Sequence, residues 1–156
     1  MTTRWQSIGR NTARGVAAAA VLACGAAWAA QEGVTPAGVR YLSGGVSEEE
    51  AAVLQSRRGE YTLWVVAAAR GSGAYLADVA VRIVDAKGST VFEGVTDGPW
   101  LMVDLPLGRY VVEARLGDET LRRTTTIHAG DHHQAVFHFD VDVDVRPAAE
   151  RRLRSE

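Results

Sequence analysis

The chain has 156 residues, 47% of them hydrophobic, a formal charge of −2 and a single cysteine. That length holds one domain plus a targeting segment, and the composition supports a packed core. Without the arginines Arg4, Arg10 and Arg14 the remainder carries −5, which argues against nucleic acid as a partner because a phosphate backbone asks for a basic face.

Residues 1–29 read as a secretory signal peptide. The three arginines form its charged start, Val16 to Ala23 its apolar middle, and Ala27-Trp28-Ala29 puts small residues at −3 and −1, so cleavage is expected after Ala29. The apolar run from Val16 to Ala30 spans 15 residues, short of the roughly 20 that cross a bilayer as a helix. The mature protein is therefore expected in the periplasm or secreted, without a transmembrane segment. Cys24 follows Val21-Leu22-Ala23, which loosely resembles a lipobox. A lipid anchor through Cys24 is the alternative. With cleavage after Ala29 the mature protein has no thiol and no disulfide, and its stability must come from packing.

Residues 30–59 form a lead-in with one short helix. Gln31 to Arg40 contains Gly and Pro and reads as a loose approach. In Tyr41-Leu42-Ser43-Gly44-Gly45-Val46 the glycine pair permits a tight turn or a close backbone approach. Ser47 caps a helix, and Glu50 three residues on completes a capping box. Glu48 and Glu49 at the start and Arg57 and Arg58 at the end suit the helix dipole. Gly59 is placed to terminate it, and Ala51, Val53 and Leu54 form its apolar face.

Residues 60–146 read as a β-sandwich. Tyr61 to Ala69 is apolar on both faces, which suits a central strand covered on both sides. Val79, Val81 and Ile83 alternate with Ala80, Arg82 and Val84. Thr90 to Val95 and Trp100 to Leu105 follow, separated by Thr96-Asp97-Gly98-Pro99. After the turn at Pro106 and Gly108, Tyr110, Val112, Ala114 and Leu116 alternate with Val111, Glu113 and Arg115. Glu119 to His128 is Thr-rich. In Gln134 to Val145, Phe137, Phe139, Val141 and Val143 face one way and His138, Asp140, Asp142 and Asp144 the other. Seven strands with regular turn signals and no βαβ alternation predict an all-β fold, a seven-stranded Greek-key β-sandwich with one N-terminal helix. Residues 147–156 lose the strand pattern at Pro147 and leave a basic tail with Arg151, Arg152 and Arg154, expected to be a solvated terminus.

The chemistry-bearing residues do not form an active site. His128, His132, His133 and His138 are close in sequence, with Asp131 and Asp140 among them. Adjacent positions on a strand point to opposite faces, so these histidines are not expected to converge, and no zinc spacing is present. Asp140, Asp142 and Asp144 lie along one strand face, and a straight strand does not wrap a calcium ion. No cofactor and no metal are expected. Gly71-Ser72-Gly73 lacks the residues of a phosphate loop, and no nucleophile–base set assembles. Trp64, Tyr75 and Trp100, with Tyr41, are the candidates for an aromatic ligand platform. Core packing is the competing role for the tryptophans, so their exposure discriminates the two.

Val79-x-Val81-x-Ile83-x-Asp85 followed by Gly88, and Leu105-Pro106-x-Gly108-x-Tyr110-x-Val112, resemble the carboxypeptidase regulatory-like domains, a transthyretin-like β-sandwich group. The resemblance covers about Tyr61 to Asp140. It implies that Asp85 and Gly88 shape a hairpin turn and that Tyr110 is a buried anchor. In more detail, Tyr41-x-Ser43-Gly44-Gly45-Val46, Gly73-x-Tyr75-Leu76-Ala77-Asp78-Val79 and Gly98-Pro99 are similar to segments of small exported proteobacterial proteins. The sandwich group also contains 5-hydroxyisourate hydrolases, marked by a C-terminal Tyr-Arg-Gly-Ser and an early histidine. This chain ends Arg-Leu-Arg-Ser-Glu and its first histidine is His128. The resemblance therefore implies no enzyme but a binding or scaffolding module in the periplasm with a protein or glycan partner. A carbohydrate-binding module is the alternative, and a small hydrolase a more remote one.

Overall fold

The computed structural model describes residues 30–141. In chain order they form β1 (Gln31–Val34), β2 (Arg40–Gly44), α1 (Glu48–Ser56), a 3-10 turn (Arg58–Glu60), β3 (Leu63–Ala69), β4 (Ala80–Asp85), β5 (Thr90–Val95), β6 (Trp100–Val103), β7 (Gly108–Leu116), β8 (Glu119–Ile127) and β9 (His133–Phe139). The strands make a five-stranded sheet in the order β1-β2-β6-β3-β9 and a four-stranded sheet in the order β5-β4-β7-β8. All neighbours are antiparallel except β3 and β9, which run parallel from Leu63 opposite His133 to Ala69 opposite Phe139. The fold is all-β, two sheets with one helix. No helix among the described residues is long and apolar enough to cross a membrane.

The alternating residues do what their period asks. Val81 and Ile83 on β4, Tyr110, Val112 and Ala114 on β7, and Phe137 and Phe139 on β9 meet Leu63, Val65 and Ala67 of β3 in one core between the sheets. Every residue of β3 is buried, because its other face, Trp64 and Val66, packs with Leu42, Leu54, Tyr61, Trp100 and Met102 in a second layer. Two turns hold the strands in register. Asp85 Oδ1 accepts from the amides of Lys87 and Ser89, both at 2.9 Å, and Gly88 takes φ +82°, which a side chain would strain. The Tyr110 ring is buried in the inter-sheet core and its hydroxyl donates to Pro106 O at 2.9 Å. The phenol satisfies a carbonyl of the preceding turn while its ring fills the core.

The lead-in differs from its sequence reading. Gln31 to Arg40 is not loose: β1 pairs with β2, and β2 pairs with β6 from Tyr41 opposite Val103 to Gly44 opposite Trp100. The described residues thus hold nine strands rather than seven, and the sheet begins at residue 31 rather than 60. The cause is non-local, since the partner of β2 lies almost sixty residues downstream.

The glycine motifs explain how β2 docks. A Cβ on Gly98 would stand 2.2 Å from Gly44 O, so this crossing admits only glycine, and Gly45 lies against the Trp100 ring. Ser43 Oγ accepts from the Asp97 amide at 3.1 Å and completes the joint. The Ser-Gly-Gly and Gly-Pro segments are two halves of one packing contact.

The helix keeps its N-terminal prediction and changes at the C-terminus. Ser47 Oγ accepts from Glu50 N at 3.1 Å, while Glu50 Oε2 reaches back one residue further than a capping box asks, to Val46 N at 2.9 Å. Gly59 does not end α1. The helix closes at Arg57, and Gly59 sits in the following 3-10 turn. Val53, assigned to the apolar face, is 53% exposed, and Leu54 alone in α1 is fully buried. β9 ends at Phe139. The cleavage site, Cys24, Asp142, Asp144 and the basic tail lie outside the described residues.

Candidate functional site

The aromatic candidates separate. Trp64 and Trp100 are 7% and 6% exposed and meet edge to face, with ring centroids 5.1 Å apart. Alternation along β3 and β6 turns both toward α1, where they form the centre of the outer layer. The Arg58 guanidinium lies 4.4 Å from the centroid of the Trp64 ring and closes it from solvent, a cation–π contact. Trp64 Nε1 has no acceptor among the described residues. Tyr75 is 63% exposed and touches the Trp100 ring edge to face at 6.0 Å. Of the four platform candidates, Trp64 and Trp100 are therefore core, Tyr41 packs half-buried against the inter-sheet core, and Tyr75 is left exposed.

The histidines behave differently from their sequence reading. The turn His128-Ala129-Gly130-Asp131 closes through Asp131 N donating to His128 O at 3.2 Å, with Gly130 at φ +80°. This folds His128 back over Asp131. His128 Nδ1 stands 2.9 Å and His133 Nε2 3.0 Å from Asp131 Oδ2. The His128 amide donates to the same oxygen at 2.9 Å. That amide, then His133 and the His128 ring, hold the Asp131 carboxyl below the ordinary carboxylate value. His132 points the other way, its Nδ1 2.8 Å from Tyr61 O. Opposite facing of His132 and His133 thus holds, but convergence of the other histidine across the turn was missed. A spacing of i, i+3, i+5 around a Gly-Asp turn is the signal that could have found it. His138 lies exposed on β9, and Asp140 pairs with Arg70 at 2.8 Å rather than with another acid.

The two sheets leave two seams at their edges. At one, β1 faces β5. Thr35 Oγ1 donates to Val91 O at 2.8 Å and Tyr41 meets Phe92 edge to face, so side chains bridge it. Its lining includes Glu93 and Asp97. At the other, β8 faces β9. Each pairs on one side only among the described residues, β8 with β7 and β9 with β3. Two adjoining clefts of about 480 and 380 Å³ run along this seam. Arg122 and Arg123 line both, with Thr124, Thr125, His133 and Gln134 in one and Arg70 and His138 in the other. Arg123 lies 5.8 Å from the Phe137 ring centroid, Arg122 bonds Glu113 at 2.7 Å, and Glu119 Oε2 accepts from Asp140 N at 2.8 Å across the end of the seam. Sequence reading passed over these arginines because a strand pattern does not say which edge is left open.

This second seam can hold an anion-bearing chain. Guanidinium groups offer charge-assisted hydrogen bonds, and two free strand edges offer main-chain groups. No protein-family model matches the sequence, and no curated protein matches it.

Proposed function

We propose that the chain is an exported, non-catalytic β-sandwich module whose partner is an acidic stretch of polypeptide held along the seam between β8 and β9. The observation that carries this is the meeting of two strand edges, unpaired among the described residues, with Arg70, Arg122 and Arg123 in a chain of net negative charge. Strand addition supplies affinity through main-chain hydrogen bonds, which a polypeptide can make and a glycan cannot. Asp and Glu side chains of the added segment pair with Arg123 and compete with Glu113 and Asp140 for Arg122 and Arg70. Export rests on residues 1–29, with the periplasm or the exterior as destination and a lipid anchor on Cys24 as the alternative. Kinship with carboxypeptidase regulatory-like, transthyretin-like Greek-key sandwiches belongs to the same proposal. It is supported by the turns at Asp85–Gly88 and Pro106–Tyr110, which take the roles that resemblance implies. A carbohydrate-binding role would have to rest on Tyr75, because Trp64 and Trp100 are buried.

Fluorescence anisotropy with a labelled peptide of alternating Asp and Val tests the seam. Binding should weaken as salt is raised, and reversing both charges, Arg122→Glu with Arg123→Glu, should lower affinity at least tenfold. Equal binding of a Lys–Val peptide, or no effect of the double reversal, would overturn the proposal.

A further inference from the structure

We infer that His128, Asp131 and His133 form a binding site for one divalent late first-row metal ion, of the zinc, nickel and copper class. Their three donor atoms, His128 Nδ1, an Asp131 carboxylate oxygen and His133 Nε2, all lie within 4.8 Å of one another. Metal–ligand bonds of about 2.0–2.2 Å place donors roughly 3–4 Å apart around a zinc ion. The two donor–oxygen separations of 2.9 and 3.0 Å already match the lower end of that range.

The backbone carries much of the preorganisation. The His128–Asp131 turn is closed by its own hydrogen bond, and His133 is fixed at the head of β9 by its amide donating to Thr62 O at 2.8 Å. His132 anchors the segment between them on Tyr61 O. The chain therefore presents two imidazoles and one carboxylate from two fixed points rather than from a free loop.

The donor set selects the ion. Two imidazole nitrogens and one carboxylate suit Zn²⁺, Ni²⁺ or Cu²⁺, whereas Ca²⁺ and Mg²⁺ take oxygen ligands. The carboxylate offsets half the charge of the ion. His128 is the most exposed of the three, its side chain 73% accessible, so water can fill the remaining positions and the ion can enter from solvent. The site does not depend on a peptide in the seam.

Isothermal titration of the tag-free, metal-stripped chain with ZnCl₂ tests the assignment. One equivalent should bind per chain, with no saturable heat from CaCl₂ or MgCl₂. His128→Ala and His133→Ala should each weaken zinc at least tenfold. Asp131→Asn keeps a hydrogen-bond acceptor in the turn and should weaken zinc comparably while the thermal melt without metal stays near wild type. His138→Ala, on the same strand but outside the cluster, should bind zinc as wild type does. Absence of saturable zinc binding at millimolar concentration would overturn the assignment. So would an equal loss in His138→Ala, which would mean unspecific binding by surface histidines, or full retention in both His128→Ala and His133→Ala.

Discussion

The two faces of β3 are equally buried and differently built. Toward the four-stranded sheet, Leu63, Val65 and Ala67 join a core of aliphatic and phenyl side chains drawn mainly from the strands of both sheets. Toward α1, Trp64 and Val66 lie in a smaller layer, capped by a nine-residue helix that contributes one fully buried side chain, Leu54. Charges ring that layer: Arg57 bonds Glu32 at 2.8 Å and Glu60 at 3.0 Å, and Arg40 bonds Asp104 at 2.9 Å. Sheet against sheet is closed by shape. Helix against sheet is closed by aromatic area and by an ionic rim, and its lid has solvent on the far side.

The largest effect should come from the inter-sheet core. Tyr110→Ala removes a ring packed between the two sheets, together with its bond to Pro106. It should cost about 3–5 kcal/mol in denaturant unfolding, the range of buried aromatic truncations. A loss below about 1 kcal/mol, as for surface changes, would remove Tyr110 from the core. Leu54→Ala empties the corresponding place under the helix. Because α1 is free to settle toward the sheet, the cost should fall near the low end for leucine truncation, about 2–3 kcal/mol. A cost equal to that of Tyr110→Ala would break the distinction, since the outer layer would then be as unyielding as the inner one.

Much of the inner core was legible because its signal is local. Period-two alternation named Val81, Ile83, Val112, Phe137 and Phe139, and the doubly apolar run from Tyr61 announced a strand covered on both faces. The turns at Asp85 and Pro106 carried their own chemistry. The outer layer was less legible because its causes are distant. β1 and β2 are four and five residues long, carry Gly33 and Gly44, and become strands through β6. The Gly44-Gly45 pair was legible as permitting a tight turn or a close approach, but that Gly98 is the residue that leaves room for the Gly44 carbonyl appears only when residues 54 apart meet. Trp64 and Trp100 could be core or platform from sequence alone; in the fold they join Leu54 in one buried cluster, with Arg58 over Trp64 and Gly45 against Trp100. At the histidine cluster the strand rule held for His132 and His133, and the return of His128 across the Gly130 turn escaped it.

The smallest effect concerns the ionic rim. Glu32 sits on β1, the edge strand, and Arg57 at the end of α1, so this pair ties the first strand to the helix. The hydrogen bond from Arg57 holds the Glu32 carboxyl below its ordinary value of 4.5, with loss of hydration opposing it. A carboxyl lowered in the folded state stabilises that state above its ordinary value, and the contribution disappears as pH falls through the ordinary value toward the lowered one. Both partners are open to water, so the contribution is small, as for other surface pairs. Glu32→Gln should therefore lower the thermal midpoint slightly at pH 7, and the difference should shrink as pH falls below 4.5 toward the lowered value, where wild type loses the same interaction. Tyr110→Ala shows no such convergence, because a cavity between sheets is indifferent to protonation in this range. A wild-type-minus-Gln difference that stays constant from pH 7 to 2 would mean that Glu32 acts by shape rather than charge, and the contrast between an apolar inner closure and an ionic outer rim would lose its support.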